Sequence, residues 1–320
     1  MRLTDPRLVE LARVSYLHYR QGKSQKEVAE LLGKSNMTVS RLLREARERG
    51  VVEFRLRVPY PSNRRVEHEM TTAFPALDDI IVIEAGFVDG PNPKRELGEA
   101  AASYVPFFLR GGMSIGIGSG ETLGHLAKTI THDRDVDGVE IVQLAGITGH
   151  GGTQENAIQI AQQLAANLRA SLFLYPLPNP LNQSAGGDAS PIDAVRVAAL
   201  AKWRSLDIGI VGIGSTEDPF TASRAGFVTP LQLEKLRELR AAGDILLHFY
   251  DAQGRLVDDA FDRTVSSIPW QLMRDIPVVI AIAGGISKAV AICGALRSGL
   301  VDVLITDENT AGAVLDVAKQ

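Results

Sequence analysis

The sequence is poor in the features that mark secreted, membrane and metal-binding proteins. It has a single cysteine, Cys293, which excludes an intramolecular disulfide framework and favours a reducing compartment. The N-terminal segment MRLTDPRLVE lacks the apolar core of a signal peptide, and no apolar run approaches the roughly 20 residues of a membrane helix. No His or Cys cluster has the spacing of metal ligands, so we expect neither a metal nor a cofactor. These absences predict a cytoplasmic protein.

Charge is distributed unevenly along a chain of 320 residues, a length sufficient for two domains. Residues 1–65 contain 15 Lys and Arg against 7 Asp and Glu, whereas the remainder contains 19 against 31. A basic segment on an otherwise acidic chain indicates contact with nucleic acid, and a solvated helical surface is the alternative.

Three short helices are predicted within the basic segment, the first of them preceded by an Asp-Pro start signal. Ser24 and Glu27 form a capping box for the second helix, Gly33 ends it, and Ser35 caps the third. Two short helices joined by a tight, glycine-containing turn are typical of a helix-turn-helix. The alternating segment VVEFRLRV follows as a candidate wing. The face of the first helix expected to be buried consists of Leu8, Leu11, Ala12, Ser15 and Tyr19.

The third helix carries the side chains that suit a DNA major groove, because a helix-turn-helix reads bases with the start of its second helix. The residues predicted to contact DNA are Ser24, Gln25, Ser35, Asn36, Met37, Thr38, Ser40, Arg41 and Arg44. Further cations predicted to face phosphates are Arg20, Lys26, Lys34 and Arg47. A three-helix interaction module that binds no DNA is the alternative.

The stretch YLHYRQGKSQKEVAELLGKSNMTVSRLLREARERGVVEF resembles the helix-turn-helix of the SorC family of bacterial transcription regulators. Helix-turn-helix sequences are widespread, so this stretch alone implies only a bacterial regulator. The rest of the chain has to narrow the interpretation.

A domain boundary is predicted at VPYPSNRR, because its prolines continue neither a helix nor a central strand. We therefore expect a DNA-binding domain over 1–58, with a connecting helix and an effector domain over 59–320. The effector domain alternates apolar strands such as MSIGIGS, VEIVQLAG, DIGIVGIGS, DILLHFYD and VVIAIAGG with helical patterns. This alternation predicts a doubly wound, mostly parallel α/β fold, whose ligands bind beyond the carboxyl ends of the strands.

Three of these strands end in glycine-rich loops, IGIGSGETL, VGIGSTED and IAGGISKA. Glycines let a ligand approach the backbone, and a helix beginning behind them favours an anion. None of the loops fits the dinucleotide or Walker-type pattern, which argues against a nucleotide site. Tight strand-to-helix turns without a ligand are the alternative.

The C-terminal 240 residues also resemble the effector domain of the SorC family, with GDILLHFYDAQGRLVDD, IPVVIAIAGGISKAVAICGALRSGLVDVLITDENTA and DIGIVGIGS as the matching motifs. The resemblance implies a fold akin to sugar-phosphate isomerases and glucosamine-phosphate deaminases, a sugar or phosphosugar effector, and a tetramer. Carried over by position, the effector-binding residues are Gly118, Ser119, Gly120, Glu121, Thr122, Gln143, Asn156, Pro178, Gly214, Asp251 and Lys288.

The chemistry of these residues leaves the class of effector open. Asp251 can accept two hydroxyl hydrogens of a polyol, unless it only shapes the turn before Gly254. Lys288 and the amides of the first glycine loop can hold a phosphate. Glu121 opposes a phosphate there and suits an uncharged sugar or polyol, so both effector classes remain.

An isomerase or deaminase with an accessory DNA-binding module is the alternative function, since isomerisation needs a base such as Glu121, Asp251 or His248. Strand alternation in ILLHFYD places His248 and Tyr250 on the face opposite Asp251, so His248 is expected to be packed. The attached helix-turn-helix favours a sugar-controlled repressor or activator of a carbohydrate catabolic operon over an enzyme.

Overall fold

The computed structural model describes residues 5–52, 60–88, 93–131, 137–145, 157–174, 190–216, 228–257 and 267–319, without the side chains of 190–196, 230 and 233. The chain forms two compact units, 1–58 and 59–320. No helix within these described ranges is long and apolar enough to span a membrane. Most of the candidate wing, together with Asn156 and Pro178, lies outside the described residues.

The first unit contains three helices, as the sequence predicts. Helix α1 (Pro6–Ser15) continues into a π-helical turn (Tyr16–Arg20) and is followed by α2 (Gln25–Leu32) and α3 (Asn36–Glu48). The Ser24 hydroxyl accepts the Glu27 amide, and the Glu27 carboxylate accepts the Ser24 amide in return, so the predicted capping box is present.

The buried face of α1 is narrower than the sequence suggests. Leu11 and Ser15 are buried together with Val14, but Leu8, Ala12 and Tyr19 of the expected face are exposed. A π-helical turn has more residues per turn than an α-helix and therefore rotates Tyr19 out of the stripe. The core of this unit is completed by Val28, Ala29, Val39, Leu42, Leu43 and Ala46.

The second unit is built on a seven-stranded sheet whose paired strands are all parallel. The strands of this unit are β1 (Asp79–Ile83), β2 (Ser114–Ile117), β3 (Glu140–Gln143), β4 (Ser171–Phe173), β5 (Ile208–Gly212), β6 (Gly214–Ser215), β7 (Ala241–Ile245), β8 (His248–Asp251), β9 (Val278–Ile282) and β10 (Val303–Asp307). The order in the large sheet is β1-β10-β9-β5-β2-β3-β4. The doubly wound parallel fold is thus confirmed.

Helices cover both faces of this sheet. They are α4 (Arg64–Ala73), α5 (Pro93–Tyr104), α6 (Glu121–Thr129), α7 (Ala157–Leu168), α8 (Ser190–Trp203), α9 (Pro230–Glu238), α10 (Trp270–Arg274), α11 (Ala289–Arg297) and α12 (Glu308–Ala318). One core packs α5, α6 and α7 on the sheet, and the other packs α4, α8, α10, α11 and α12 on the opposite face. The connecting helix α4 belongs to this second core, since Val66, Met70 and Phe74 are buried in it. Helix α9 packs through Leu236 on the small antiparallel sheet.

The segment DILLHFYD is not a single strand of the parallel sheet. It forms the end of β7, a turn at Leu246 and Leu247, and β8, within a small antiparallel sheet of order β6-β7-β8. Both turn residues have positive φ, 55° and 70°. Hairpin turns of this kind usually carry Asn or Gly, so a Leu-Leu turn gives no signal in the sequence.

Candidate functional site

The three glycine-rich loops meet at one edge of the sheet. They follow β2, β5 and β9, which are neighbours in the order β9-β5-β2, and parallel strands end on the same edge. From β2 the chain continues outward to β3 and β4, whereas β5 returns to the other side of β2. The loops after β2 and β5 therefore flank the point at which the strand order reverses, where open α/β sheets bind their ligands.

The first loop is shaped to present backbone amides. Gly118 is buried and donates its amide to the Ile210 carbonyl at 2.9 Å, which ties the loop after β2 to strand β5. Gly120 immediately precedes α6 with a φ of 130° and has no side chain with which to cap it. The first amides of α6, at Glu121 and Thr122, therefore point outward and suit an anion.

Lys288 links the third loop to the second. Its ammonium donates to the Ile213 carbonyl at 2.7 Å, and no carboxylate of the described residues lies within 4.0 Å of it. Burial lowers the pKa of Lys288, and repulsion from Lys94 lowers it further, against the attraction of Asp244 and Glu121. A half-buried ammonium without a paired carboxylate is suited to an incoming anion.

Asp244 is a member of the site that the sequence analysis missed. It pairs with Gly214 across β7 and β6, and a β-carbon at position 214 would collide with its carboxylate. Its Oδ2 accepts the Leu247 amide at 3.1 Å. Burial raises the pKa of Asp244, and the hydrogen bond from Leu247 and the charge of Lys288 oppose that shift. The sequence gives no indication of this role because the whole segment DILLHFYD reads as one strand.

A relay of hydrogen bonds holds the third loop. Gly285, with a φ of 110°, donates its amide to Thr310 Oγ1 at 2.6 Å, and the Thr310 hydroxyl donates to Asp307 Oδ2 at 2.7 Å. Thr310 and Asp307 are both buried. The relay fixes the backbone just before Lys288.

Gln143 ends β3 directly beside Ile117 of β2 and is fully buried. Its Nε2 donates to the Ala145 carbonyl, whereas its Oε1 has no partner among the described residues. Such an acceptor is costly to leave unsatisfied, so Gln143 retains an oxygen for a further donor.

Asp251 is not brought to the loops. Its Oδ1 accepts the amides of Gln253 and Arg255 at 2.8 and 3.0 Å, which is the arrangement of a turn residue. Its backbone packs on Gly294, about two turns along α11 from Lys288. The polar group that β7 and β8 present to the loops is Asp244 instead.

His248 is packed, as predicted. Its side chain is buried, with Nε2 2.8 Å from the Ile268 carbonyl and 3.0 Å from the Ser267 hydroxyl. These contacts hold the hairpin against the segment before α10. No cluster of His, Cys, Asp and Glu able to hold a metal occurs among the described residues.

In the first unit, α3 presents a polar face opposite its buried side. Met37 is 83% exposed, Asn36, Arg41 and Arg44 are exposed, and Ser40 is partly exposed. The hydroxyl of Ser35 accepts the Thr38 amide at 3.1 Å as the cap of α3. Gln25 lies partly exposed at the start of α2.

Not every predicted phosphate contact is free. The Lys34 ammonium lies 2.7 Å from Glu10, and Arg7 bridges Glu10 and Glu45. These ion pairs join α1 to α3 and to the turn between α2 and α3. Arg41, Arg44 and Arg47 have no such carboxylate partner among the described residues.

Comparison with known proteins settles the family. Residues 59–316 match the family model described as "Putative sugar-binding domain", and residues 5–54 match a homeodomain-like helix-turn-helix model. The chain belongs to the SorC family of transcriptional regulators. It is therefore a DNA-binding transcriptional regulator with a sugar-binding domain, and not an enzyme.

Individual relatives cover nearly the whole chain. "Transcriptional regulator LsrR" of Enterobacter sp. (strain 638) is 30% identical over 99% of this chain and 95% of that protein. The "Sorbitol operon regulator" of Klebsiella pneumoniae is 28% identical over 97% of this chain and 98% of that protein. The crystal structure of full-length SorC from Klebsiella pneumoniae superimposes with a TM-score of 0.68 at 27% identity, covering 97% of this chain and 100% of that one.

Proposed function

We propose that this SorC-family protein controls a carbohydrate catabolic operon in the bacterial cytoplasm by binding its operator through residues 1–58 and a sugar-like effector through residues 59–320. The observation that carries the proposal is the meeting of three glycine-rich loops at the sheet's switch point, with Lys288 and Asp244 between them. The helix-turn-helix with its exposed polar face supplies the DNA contact.

The effector site combines a cation, outward-pointing amides and hydroxyl partners. We assign the anionic or most electronegative end of the effector to Lys288 and the first amides of α6. Asp244 and the unsatisfied oxygen of Gln143 are assigned to effector hydroxyls. Asn156 and Pro178 enter the assignment from the family resemblance alone. We assign the DNA contacts to the residues of α2, α3 and their caps that the sequence predicts.

The effector belongs to the class of sugars, sugar phosphates or polyols. Relatives named for a sorbitol operon support a polyol or sugar, and Lys288 with the amides of α6 supports a phosphorylated one. We further propose a homotetramer, in which effector binding changes subunit packing and so the separation of paired helix-turn-helix units on operator half-sites. Light scattering of the full chain, with and without operator, tests the assembly.

The test of the site is thermal unfolding of the full chain against matched pairs of free and phosphorylated pentoses, hexoses and tetritols. A ligand that binds only the folded protein raises the unfolding midpoint with its concentration. We expect at least one compound to raise the midpoint and to change the affinity for operator DNA. Lys288→Met should remove both effects, and equal shifts in wild type and this variant would place the effector elsewhere.

A further inference from the structure

An ion pair stands at the rim of the effector site that neither the sequence analysis nor the family comparison identified. Lys94 Nζ, in the first turn of α5, lies 2.8 Å from Glu121 Oε2, at the first residue of α6. The two side chains are 49% and 43% exposed, so water screens the attraction between them. The two residues are 27 positions apart in the chain, and the pair joins helices α5 and α6.

Close packing of α5 against the loops puts Lys94 in this place. A β-carbon at Gly98 would collide with the Thr122 carbonyl and lie 2.8 Å from His125 Cβ, so the helices touch along their backbones. The neighbouring Leu97 reaches the third loop, where a β-carbon at Gly284 would lie 2.8 Å from its Cδ2. The start of α5 thus contacts both the first and the third glycine-rich loop.

The charges of the pair also act on the half-buried ammonium of Lys288. Lys94 repels Lys288, and Glu121 attracts it. The three charges consequently form one electrostatic group, in which Glu121 holds a position close to two cations and to the amides of α6. A carboxylate at a helix start with a neighbouring lysine occupies the surroundings that a phosphate prefers.

We propose that Lys94 determines the specificity of the effector site by exchanging Glu121 for the phosphate group of an anionic sugar. This inference rests on the proposed function, since it concerns the same site. Without an anion, Glu121 keeps Lys94 at the rim. A phosphate at the start of α6 draws Lys94 and Lys288 together around it and leaves Glu121 in water.

The exchange is favourable because the resting pair is weak. An exposed lysine–carboxylate pair contributes little in water, whereas a phosphate carries more charge and more acceptor oxygens than the carboxylate it replaces. Glu121 is accordingly a competitor of phosphate that Lys94 neutralises. An uncharged sugar carries no anion that could replace Glu121, so Lys94 should not increase the affinity for it.

The experiment measures binding of inorganic phosphate to the full chain by calorimetry, with chloride at equal ionic strength as the reference. Glu121→Gln should bind phosphate at least about threefold more tightly than the wild type, because the competing carboxylate is gone. In this background, Lys94→Gln should weaken phosphate binding about tenfold, which corresponds to about 1.4 kcal/mol. Lys94→Arg in the same background should retain the affinity.

Arg95→Gln in the Glu121→Gln background is the matched control, because it removes a neighbouring cation that pairs with Glu99 at 3.3 Å instead. It should leave phosphate affinity unchanged. If Lys94→Gln behaved like this control, Lys94 would be only a counterion of Glu121, and the inference would be wrong.

Two further results separate the inference from the proposed function. The wild type could bind free ribose but not phosphate, and lose ribose binding in Lys288→Met. This result would overturn the role of Lys94 but support the proposed position of the effector site. Phosphate or ribose binding that survives Lys288→Met at full strength would overturn the site itself.

Discussion

Leu246 fills the space in which a side chain on Gly118 would begin, since its Cδ2 lies 3.0 Å from the position of a β-carbon there. Leu246 is the first residue of the turn between β7 and β8, and its φ of 55° is unfavourable for a branched side chain. The turn between β7 and β8 therefore packs against the loop after β2. A displacement of that loop would require the turn to move as well.

Gly118→Ala should weaken the response to effector. The added methyl group would press on Leu246 and on the Ile210 carbonyl, 3.4 Å away, and such overpacking costs about 1–3 kcal/mol of unfolding free energy. We expect a lower unfolding midpoint and a smaller shift with effector, measured by thermal denaturation.

Gly312→Ala is the control for this substitution. Gly312 lies inside α12 with nothing within 4 Å of its β-carbon position, so alanine should raise the unfolding free energy by about 0.5–1 kcal/mol. The effector-induced shift should be unaffected in this variant. An undiminished shift in Gly118→Ala would show that the hairpin tip is not coupled to the site.

Anion binding should weaken as the pH rises toward the ordinary lysine range. Burial lowers the pKa of Lys288, so this lysine loses its proton at a lower pH than an exposed one. A bound phosphate favours the charged form, so binding above that pKa takes up a proton and affinity falls with pH. Titration calorimetry between about pH 7.5 and 10, which approaches the usual lysine pKa, measures how the phosphate affinity changes with pH.

Lys288→Arg provides the comparison, because arginine stays protonated throughout this range. Its phosphate affinity should be nearly independent of pH between the same limits. The stability of the ligand-free wild type should change with pH in the opposite direction. Between the lowered pKa of the folded protein and the ordinary lysine pKa, the unfolded chain binds more protons than the folded one. Lys288 therefore contributes unfolding free energy that increases as the pH rises through this window.

Local patterns were sufficient to predict most of the framework. The capping box at Ser24 and the apolar runs of the parallel strands depend on neighbours a few positions apart, and the structure confirms them. That the three loops lie on one edge also follows from the fold class, since parallel strands end on one edge. That they are neighbours depends on the strand order β9-β5-β2, which only the structure shows.

The errors concern features that only tertiary packing decides. A turn made of Leu246 and Leu247 carries no turn residue, so β7 and β8 read as one strand and Asp244 was overlooked. Lys94 reaches the site only because Gly98 lets α5 approach α6. Nothing within a short window of sequence contains that information.

Thr310 should affect effector binding without contacting the effector. Thr310→Val removes the hydroxyl that accepts the Gly285 amide and donates to Asp307, and leaving these buried groups unpaired costs about 1–3 kcal/mol. We expect weaker effector binding in calorimetry. The loss of affinity should be larger than the loss caused by substitutions of other buried threonines that lower the unfolding midpoint equally. Thr310→Ser keeps the hydroxyl and should restore binding, and failure of that rescue would contradict the relay.

Arg41 and Arg47 should differ in what they contribute to DNA binding. Arg41 lies on the exposed face in the second turn of α3, and Arg47 lies in its last turn. Arg41→Ala should reduce discrimination between operator and random DNA by about 1–3 kcal/mol, whereas Arg47→Ala should weaken both alike. Fluorescence anisotropy with the two DNAs measures the difference, and identical behaviour of the two variants would contradict the assignment of α3 to the major groove.

Glu10→Gln should strengthen DNA binding by releasing Lys34. The hydrogen bond from Lys34, and secondarily the one from Arg7, lowers the pKa of Glu10, so the carboxylate remains charged and keeps Lys34 occupied at neutral pH. A released Lys34 can neutralise one more phosphate, which would steepen the dependence of log affinity on log salt by about 0.9. Glu30→Gln changes the net charge equally at an exposed position of α2, so it measures the effect of charge alone. A salt dependence that is as steep in Glu30→Gln as in Glu10→Gln would mean that the change in net charge, and not the release of Lys34, causes the effect.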